Sequence, residues 1–164
     1  MKIELRKLRL SDAEDLMKAI NDKKIIPYLD QNRKYPISLD YAKKSVIRSI
    51  NDKKSYKKAI IVDGKFTGTI SLYNPNENKK IFEVGYFIAR PYWNKGIATL
   101  AVSSMCDFGF KKLKLKRIWA DTNSNNPASA RVLEKAGFKL EGKKRKLVYK
   151  KGKYFDELIW GKLR

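Results

Sequence analysis

The sequence predicts a single α/β domain over residues 1–164, built on one mixed, mostly antiparallel sheet of about six or seven strands with about four flanking helices. Runs of β-branched and aromatic residues bounded by turn residues predict the strands, most clearly over residues 81–88. Apolar residues at three- and four-residue steps after Gly96 predict a central helix with one buried face. No linker, repeat or low-complexity segment divides the chain, so we expect one domain.

The first third of the chain predicts a strand followed by two helices. Residues 2–8 alternate well enough for a strand, and Ser11 with Glu14 three residues later predicts a capping box at a helix start. A loop over residues 25–35 follows. Residues 38–51 then carry the apolar spacing of a second helix.

The rest of the chain predicts hairpins around a central strand and helix. The Asp-Gly-Lys sequence at residues 63–65 is a strong signal for a tight hairpin. The expected elements are strands over 58–62, 66–73, 81–88 and 117–121, helices over 97–113 and from Pro127 to Gly137, and a final hairpin of 139–149 with 154–160.

A glycine-containing loop connects the strand at residues 81–88 to the central helix. Pro91 cannot donate to a β-ladder and therefore ends the strand, and Gly96 lets backbone N–H groups approach a ligand where the helix begins. Because a helix start carries unpaired N–H groups and a positive dipole, this segment predicts a phosphate cradle, although a lone glycine is also compatible with a simple turn. The ATP-binding P-loop and the dinucleotide-binding fingerprint are excluded, because the additional glycines that they require are absent.

The chain is strongly basic, with 38 Lys and Arg against 17 Asp and Glu and a net charge of +21. This charge predicts attraction to polyanions and leaves the fold open. Two lysine-rich runs, 111–117 and 143–146, suggest nucleic-acid binding, but aromatic residues are not interleaved with them as stacking platforms would be. A basic RNA-binding domain without catalysis is therefore one alternative, and an enzyme of this charge is expected to associate at most weakly and non-specifically with RNA or the ribosome.

Several classes of protein are disfavoured by what the sequence lacks. It has no histidine, which removes the commonest general base and the usual zinc ligand, so we expect no metal site. Cys106 is the only cysteine, so no internal disulfide can form. No apolar run approaches the roughly 20 residues of a membrane helix, and the N-terminus does not open a signal peptide. We therefore expect a cytoplasmic protein with no membrane partner.

Two motifs give the chain a resemblance to a known family. The segment 93–98, Trp-Asn-Lys-Gly-Ile-Ala, is similar to the pyrophosphate loop of the GNAT acetyltransferases, which reads Gln/Arg-x-x-Gly-x-Gly/Ala. The departure at Trp93 resembles the branch that acetylates the amino termini of ribosomal proteins (the ribosomal-protein-alanine acetyltransferases). A second block of that branch, Asn-x-x-Ser followed by Lys-x-Gly-Phe, is matched by Asn126, Ser129, Lys135, Gly137 and Phe138. Residues 5–15 also resemble the first strand and helix of the branch, so the resemblance spans nearly the whole chain.

The resemblance implies a GNAT fold and acetyl-CoA as the acetyl donor, with CoA as product. A bulge in the central strand would direct the backbone groups of Phe87, Ile88 and Ala89 to the pantetheine amides, and such bulges are common beside active sites. The pyrophosphate would be held by the backbone amides of Lys95, Gly96, Ile97, Ala98 and Thr99, aided by the helix dipole. Asn126 would hydrogen-bond the pantetheine arm, a role compatible with its acting as a helix N-cap.

Two residues are the catalytic candidates. Glu83 lies in an otherwise apolar strand, so burial would make its carboxylate a suitable general base, acting directly or through water. The alternatives are a structural glutamate at a sheet edge or in an ion pair, with water as the base. Ser129 matches the position that the branch uses to help reprotonate the leaving thiolate, although it could equally be a helix-surface residue. Leu133 occupies the place of a tyrosine that serves as the acid in other branches.

The central motif cannot name the acceptor, but the resemblance implies a protein α-amino group. Its unperturbed pKa lies near 7.7–8.0, against about 10.4 for lysine, so it is partly neutral at cellular pH and easier to activate. A small-molecule amine, a polyamine or an antibiotic, is the alternative, disfavoured by the basic surface unless the cleft is locally acidic. The loop residues expected to form a substrate wall are Tyr28, Gln31, Arg33 and Tyr35, and the acidic residues expected near the cleft are Asp30, Asp40, Glu77 and Glu83. The protein is expected to be a monomer or a homodimer.

Overall fold

The core of the fold is a seven-stranded sheet with the strand order β1-β2-β3-β4-β5-β7-β6. The structure, a computed structural model, describes residues 1–29, 34–150 and 152–164. The strands are β1 (Ile3–Lys7), β2 (Tyr56–Val62), β3 (Lys65–Tyr73), β4 (Ile81–Ile88), β5 (Arg117–Asn123), β6 (Lys139–Lys150) and β7 (Lys153–Leu163). All neighbouring strands are antiparallel except β4 and β5, which are parallel, so the predicted mixed, mostly antiparallel sheet is confirmed.

Four α-helices flank the sheet, as predicted: α1 (Ala13–Ile20), α2 (Leu39–Asn51), α3 (Ile97–Lys111) and α4 (Pro127–Lys135). The α2 start is capped by Ser38, whose hydroxyl accepts a hydrogen bond from the Tyr41 N–H at 3.1 Å. In the part of the chain that the structure describes, no helix is long and apolar enough to cross a membrane.

The start of α1 differs from the capping box predicted at Ser11 and Glu14. A short 3-10 helix, Leu10–Asp12, precedes α1, and the buried Asp12 carboxylate accepts a hydrogen bond from the Arg9 N–H at 2.8 Å. Asp12 also forms an ion pair with Arg6 at 2.7 Å. Because Asp12 is held by a residue of β1, it fixes the chain entry into the helix in place of the predicted Ser11 cap.

Two apolar clusters cover opposite faces of the sheet. The larger one packs α3 and α4 against the sheet, with Ile70, Leu72, Met105, Ile118 and Leu133 among its buried members. Gly109 permits this close packing, because a Cβ there would lie 3.0 Å from side-chain atoms of both Leu115 and Ile118. The smaller cluster packs α1 and α2 on the other face through Leu16, Ile37, Ala42, Val46 and Ile61. The two faces of the sheet are therefore lined by different helix pairs.

The parallel strands β4 and β5 separate in the middle of the sheet. Their pairing covers only Ile81 to Glu83 against Arg117 to Trp119, although both strands continue further. An opening therefore forms between the second half of β4 and the second half of β5.

The predicted bulge in β4 is wrong, because the register of β3 against β4 runs without a shift from Gly68–Ile88 to Tyr73–Glu83. A register shift lies two strands away from β4, between Ile60 and Ile61 of β2. Strand separation from β5, rather than an extra residue in β4, frees backbone groups at this place.

Candidate active site

The opening between β4 and β5 forms a cleft of about 430 Å³. Side chains alternate along each strand, so the two faces of the sheet contribute different residues to it. Glu83 and Asp121 lie on the face of α1 and α2, whereas Tyr86 points to the face of α3 and α4, where it meets Ser129. Reactants that approach from opposite faces would therefore meet inside the opening.

The Gly96 loop has the geometry of an anion cradle. Gly96 has a φ of 74° and precedes α3, whose first turn is closed by the Leu100 N–H donating to the Gly96 carbonyl at 3.1 Å. The N–H groups of Ile97, Ala98 and Thr99 have no acceptor within the helix, as at any helix start. Ile97 is buried and fixes the loop to the core, while the position of an added Cβ at Gly96 faces open space. The segment from Lys95 to Thr99 can therefore present amides to a diphosphate.

The three residues predicted to bind the pantetheine differ in the direction of their backbone groups. The Ala89 N–H donates to the Thr67 carbonyl at 2.7 Å and the Ala89 carbonyl accepts from Tyr92 at 2.9 Å, so both groups are engaged. By the alternation of an antiparallel ladder, the groups of Phe87 also face β3, and those of Ile88 face the opening. The backbone groups of Ile88 can thus reach a pantetheine arm in the opening, as predicted. The prediction is corrected for Phe87 and Ala89, because their backbone groups point away from the opening.

Trp93, the departure from the usual loop motif, anchors the loop. Its indole N–H donates to the Ile88 carbonyl at 2.7 Å, which joins the loop to the end of β4. The Ile88 N–H remains directed into the opening. A residue that looked anomalous in the motif therefore fixes the loop relative to the strand that would hold the pantetheine.

Asn126 and Ser129 lie together at the start of α4. The Asn126 side-chain oxygen accepts a hydrogen bond from the Ser129 N–H at 3.2 Å, so the predicted helix cap is present. Within the described residues the Asn126 amide NH₂ has no hydrogen-bond partner, which leaves a donor for a ligand in the cleft. Leu133 lies one turn further along α4 with a buried side chain that lines the cleft.

Tyr86 is a site residue that the sequence did not single out. Its hydroxyl lies 2.9 Å from the Ser129 hydroxyl oxygen. Burial raises the pKa of Tyr86 to about 12, against a smaller lowering from the Ser129 hydrogen bond, so the phenol stays protonated at neutral pH. Tyr86 and Ser129 therefore form a pair of hydroxyl groups beside the opening. Tyr86 stands among other aromatic and apolar residues of β4, so the sequence gave no signal for this contact.

Glu83 is buried and held by two neutral donors. Only 5% of the residue is exposed, and its carboxylate accepts hydrogen bonds from the Tyr73 hydroxyl at 2.5 Å and the Asn74 amide at 2.7 Å. Burial and the Glu83 hydrogen bond raise the pKa of Tyr73, so Tyr73 remains a donor. Glu83 is thus not at a sheet edge, and it forms no ion pair with any residue that the structure describes. Its carboxylate oxygens retain lone pairs that can accept a hydrogen bond from a further donor.

Two further carboxylates share the face of Glu83. Asp121 lies two residues beyond the last β4–β5 pair, and Glu157 on β7 is opposite Asn123. The Asp121 carboxyl is exposed by surface area, yet the cleft walls surround it closely enough that desolvation, followed by repulsion from Glu83 and Glu157, raises its pKa to about 6. Desolvation is the largest of these causes because Asp121 lines the cleft itself.

Most of the other predicted acidic residues lie elsewhere. Asp40 forms an ion pair with Lys44 on the surface of α2 at 2.8 Å, and Glu77 is exposed in the turn before β4, at the far end of that strand. These two predictions are corrected, because nearness in sequence to the cleft-forming segments did not place them on the cleft face. Asp30 lies outside the described residues. Of the acidic residues that the structure describes, Asp121 alone lines the cleft, and Glu83 and Glu157 lie close to it on the same face of the sheet.

Of the four residues predicted to form a substrate wall, two lie within the described part of the chain and one of these lines the cleft. Tyr28 lines the cleft with 48% of its surface exposed, and its ring meets Trp93 edge-on with ring centroids 6.5 Å apart. Tyr35 is partly buried against the α1 and α2 cluster and does not line the cleft, which corrects its assignment. Gln31 and Arg33 lie outside the described residues.

Asp121→Asn should change the pH dependence of stability. Since the folded pKa of Asp121 is raised, its contribution to stability is present below the unfolded pKa and is lost as the pH rises through about 6. Asparagine imitates the neutral carboxyl, so the variant should melt higher than the wild type at pH 8, by a margin that shrinks toward pH 4. Thermal unfolding at both pH values measures this, with the exposed Asp15→Asn on α1 as a control for the loss of an aspartate. An equal margin at both pH values would contradict it.

Comparison with known proteins agrees with this geometry. A family profile described as Acetyltransferase (GNAT) domain matches residues 2–139. The chain belongs to the GNAT acetyltransferases. It is accordingly an acyltransferase that uses acetyl-CoA, and the open cradle at Gly96 with the unpaired amides of α3 suits the diphosphate of that donor. The alternative of an RNA-binding domain without catalysis is removed.

Three proteins to which this GNAT chain is similar have different acceptors in their names. YdaF of Bacillus subtilis (strain 168), whose name describes a putative ribosomal N-acetyltransferase, is 30% identical over 99% of this chain and 91% of its own length. RimL, a ribosomal L7/L12 α-N-protein acetyltransferase solved with coenzyme A, has a TM-score of 0.89 at 20% identity, covering 99% of this chain and 94% of its own. A spermidine N-acetyltransferase from Vibrio cholerae, solved with CoA and spermine, has a TM-score of 0.85 at 22% identity, covering 98% and 95%. The two solved structures support the fold alone.

Proposed function

We propose that this GNAT enzyme acetylates the α-amino group of a protein or peptide by direct transfer from acetyl-CoA. The observation that carries the proposal is the buried Glu83 beside an opening that is reached from both faces of the sheet. The similarity to YdaF over nearly the whole chain supports an acceptor of the ribosomal-protein type. An α-amino group suits a site with a carboxylate base, because part of it is already neutral near pH 7.7–8.0.

Glu83 is the proposed proton acceptor. As the acceptor nitrogen bonds to the acetyl carbon and the carbon–sulfur bond breaks, the nitrogen loses a proton, which passes to Glu83 directly or through one water. Tyr73 and Asn74 hold the two carboxylate oxygens and so fix the direction in which the remaining lone pairs point. Asp121 and Glu157 place negative charge nearby and favour the approach of an ammonium group.

Ser129 is the proposed proton donor to the leaving sulfur. A serine hydroxyl is a weak acid, so the donation has to be supported by a second group. Tyr86 provides that support at 2.9 Å, because its protonated hydroxyl can donate a hydrogen bond to the Ser129 oxygen while Ser129 passes its proton to the sulfur, and Ser129 then takes a proton back from solvent. Acetyl-CoA supplies the activated thioester, and these residues supply the proton transfers at its two sides.

A small polyamine is the second candidate acceptor. The acidic face formed by Glu83, Asp121 and Glu157 is the observation in its favour, because local negative charge offsets the repulsion of a polycation by the +21 surface. Glu157 already pairs with Lys144 at 3.0 Å, which reduces the charge available to a polyamine. We therefore place the α-amino group first.

One panel of amines distinguishes the two. At fixed acetyl-CoA, peptides with a free α-amine followed by acidic residues should be acetylated, and the rate should fall as salt screens their attraction to the basic surface. Spermidine and aminoglycosides should be poor acceptors. A peptide with a blocked N-terminus and an internal lysine is the control for ε-amines. Efficient acetylation of spermidine with no transfer to any α-amino peptide would overturn the choice in favour of a small-molecule enzyme.

A further inference from the structure

A second recess lies at the end of the molecule opposite the Gly96 loop. It has a volume of about 240 Å³ and lies beside the start of β4. Its walls come from the α2–β2 connection, the turn before β4 and the α3–β5 connection, and the residues that line it are Lys53, Lys54, Tyr56, Asn78, Lys79, Lys80, Phe82, Leu113 and Leu115. Segments that are distant in sequence are joined here, since the Lys116 N–H donates to the Lys80 carbonyl at 2.9 Å.

The recess is remote from the acetyl-transfer site. Helix α3 begins at the Gly96 loop and ends at Lys111, next to the recess, and a helix of this length spans about 22 Å. Strand β4 likewise starts at the recess and ends beside the Gly96 loop. A ligand in the recess would therefore leave the cleft between β4 and β5 free.

Uncompensated positive charge surrounds the recess. Seven exposed lysines, here called the lysine end, lie at or next to the recess. Four of them line it (Lys53, Lys54, Lys79 and Lys80), and three flank its lining residues Leu113 and Leu115 in the sequence (Lys112, Lys114 and Lys116). None of them forms a side-chain ion pair within the residues that the structure describes. Two neighbouring acids are engaged, because Asp52 accepts from the Lys54 N–H and the Ser55 hydroxyl and Asp107 pairs with Lys111. Glu77, in the turn before β4, forms no ion pair within the described residues and can offset at most one of the seven positive charges. Such a concentration of like charge repels itself unless a polyanion neutralises it.

An aromatic ring stands among these lysines. Tyr56 is 38% exposed, and its ring is held from behind by Phe82 and Phe108, each with a centroid 5.8 Å away. A supported and partly exposed ring beside basic side chains is the arrangement that stacks nucleic-acid bases while lysines contact phosphates. The expectation that aromatic residues are not interleaved with the lysine runs holds along the sequence, but the fold brings Tyr56 to the run at 111–117.

We propose that the lysine end binds single-stranded RNA, with phosphates on the lysines and one base on Tyr56. A concave recess with an aromatic floor suits a splayed base better than a flat membrane surface or an acidic peptide, neither of which needs a stacking ring. Asn78 favours RNA over DNA. Its side-chain oxygen accepts from the Lys80 N–H at 3.1 Å, so its amide NH₂ can donate to a ribose 2′-hydroxyl. The surface is independent of the acceptor proposed above.

The test compares variants that carry the same net charge. The variant with Lys53, Lys54, Lys79 and Lys80 changed to Gln should bind a labelled 12-nucleotide single-stranded RNA at least tenfold more weakly than the wild type in 100 mM salt. Its dependence of log affinity on log salt should become shallower by about 2–3, since each lost phosphate contact on a single strand removes about 0.7. The control changes four exposed lysines elsewhere, Lys2, Lys43, Lys65 and Lys135, to Gln and should lose less than threefold.

Further arms separate RNA from other anions. Tyr56→Leu should lower RNA affinity about tenfold while keeping the full lysine charge. DNA of the same sequence, polyglutamate and vesicles with anionic lipid should each bind more weakly than the RNA. Acetylation of an α-amino peptide should be unchanged in the four-lysine variant, which also shows that it is folded. Equal loss in the two lysine variants, full affinity in Tyr56→Leu, or equal binding of polyglutamate, DNA or vesicles would overturn the proposal.

Discussion

We expect Gly96→Glu to abolish the rise in melting temperature that acetyl-CoA should give the wild-type protein. At a ligand concentration of about 100 times the dissociation constant, binding should stabilise the wild type by about 2.7 kcal/mol, or about 5–10 °C for a chain of this size. A Cβ at Gly96 projects into open space in front of the α3 amides, so a glutamate side chain would occupy the place of the diphosphate with charge of the same sign. Thermal scans with and without acetyl-CoA measure the effect.

Gly64 provides a matched control for backbone strain. Both glycines have a left-handed backbone, with a φ of 80° at Gly64 and 74° at Gly96, and a Cβ at either would meet nothing within 4 Å. Gly64, however, lies in the β2–β3 turn, away from the start of α3. Gly64→Glu should therefore lower the melting temperature of the free protein by a similar amount and keep the full acetyl-CoA shift. A Gly96→Glu protein that retains the shift would show that the diphosphate is held elsewhere.

Replacing Glu83 by Gln should lower the turnover number by about 10²-fold or more and leave the acetyl-CoA affinity nearly unchanged. Glutamine keeps the shape and an acceptor for the Tyr73 hydroxyl, but it cannot take a proton from the amine. The loss should shrink as the pH rises, because more of the acceptor then arrives already deprotonated. Rates with one α-amino peptide between pH 6.5 and 9, with acetyl-CoA affinity from calorimetry, measure both effects.

Tyr73→Phe separates catalysis by Glu83 from its structural role. This variant removes one hydrogen bond to the carboxylate and keeps the proton acceptor, so its turnover should fall much less than that of Glu83→Gln. If Glu83→Gln and the wild type turn over at the same rate, Glu83 is structural and water alone is the base.

Local motifs made part of this site predictable. The Gly96 loop, Asn126 and Ser129 each depend on a few consecutive residues, so the sequence predicted the turn, the helix start and the cap that the structure shows. Asp121 and Glu157 could not be found in this way, because their nearness to the cleft depends on strand register between segments far apart in sequence. The period of two along β5 would have placed Asp121 on the face of Glu83 only once β4 was known as its neighbour.

The same limit explains the misplaced backbone groups of β4. The expectation of a bulge came from the family resemblance, whereas the direction of each N–H follows from the ladder that the strand forms with β3. The Thr67–Ala89 hydrogen bond decides which residues face the opening, and no property of the sequence 81–88 alone contains that information.

The separation of β4 from β5 also has a mechanical consequence. With three residues of each strand in register, this junction has a shorter ladder than any other in the sheet, and the apolar side chains of α3 join the two parts from one face. Local opening of a protein follows its least supported boundaries, so the region of β5 to β7 can move as a unit against that of β1 to β4. A molecule that hydrogen-bonds both Ile88 and Asn126 would span this boundary and complete the missing connection. If acetyl-CoA binds in this way, we expect it to act as a temporary structural element of the enzyme that consumes it.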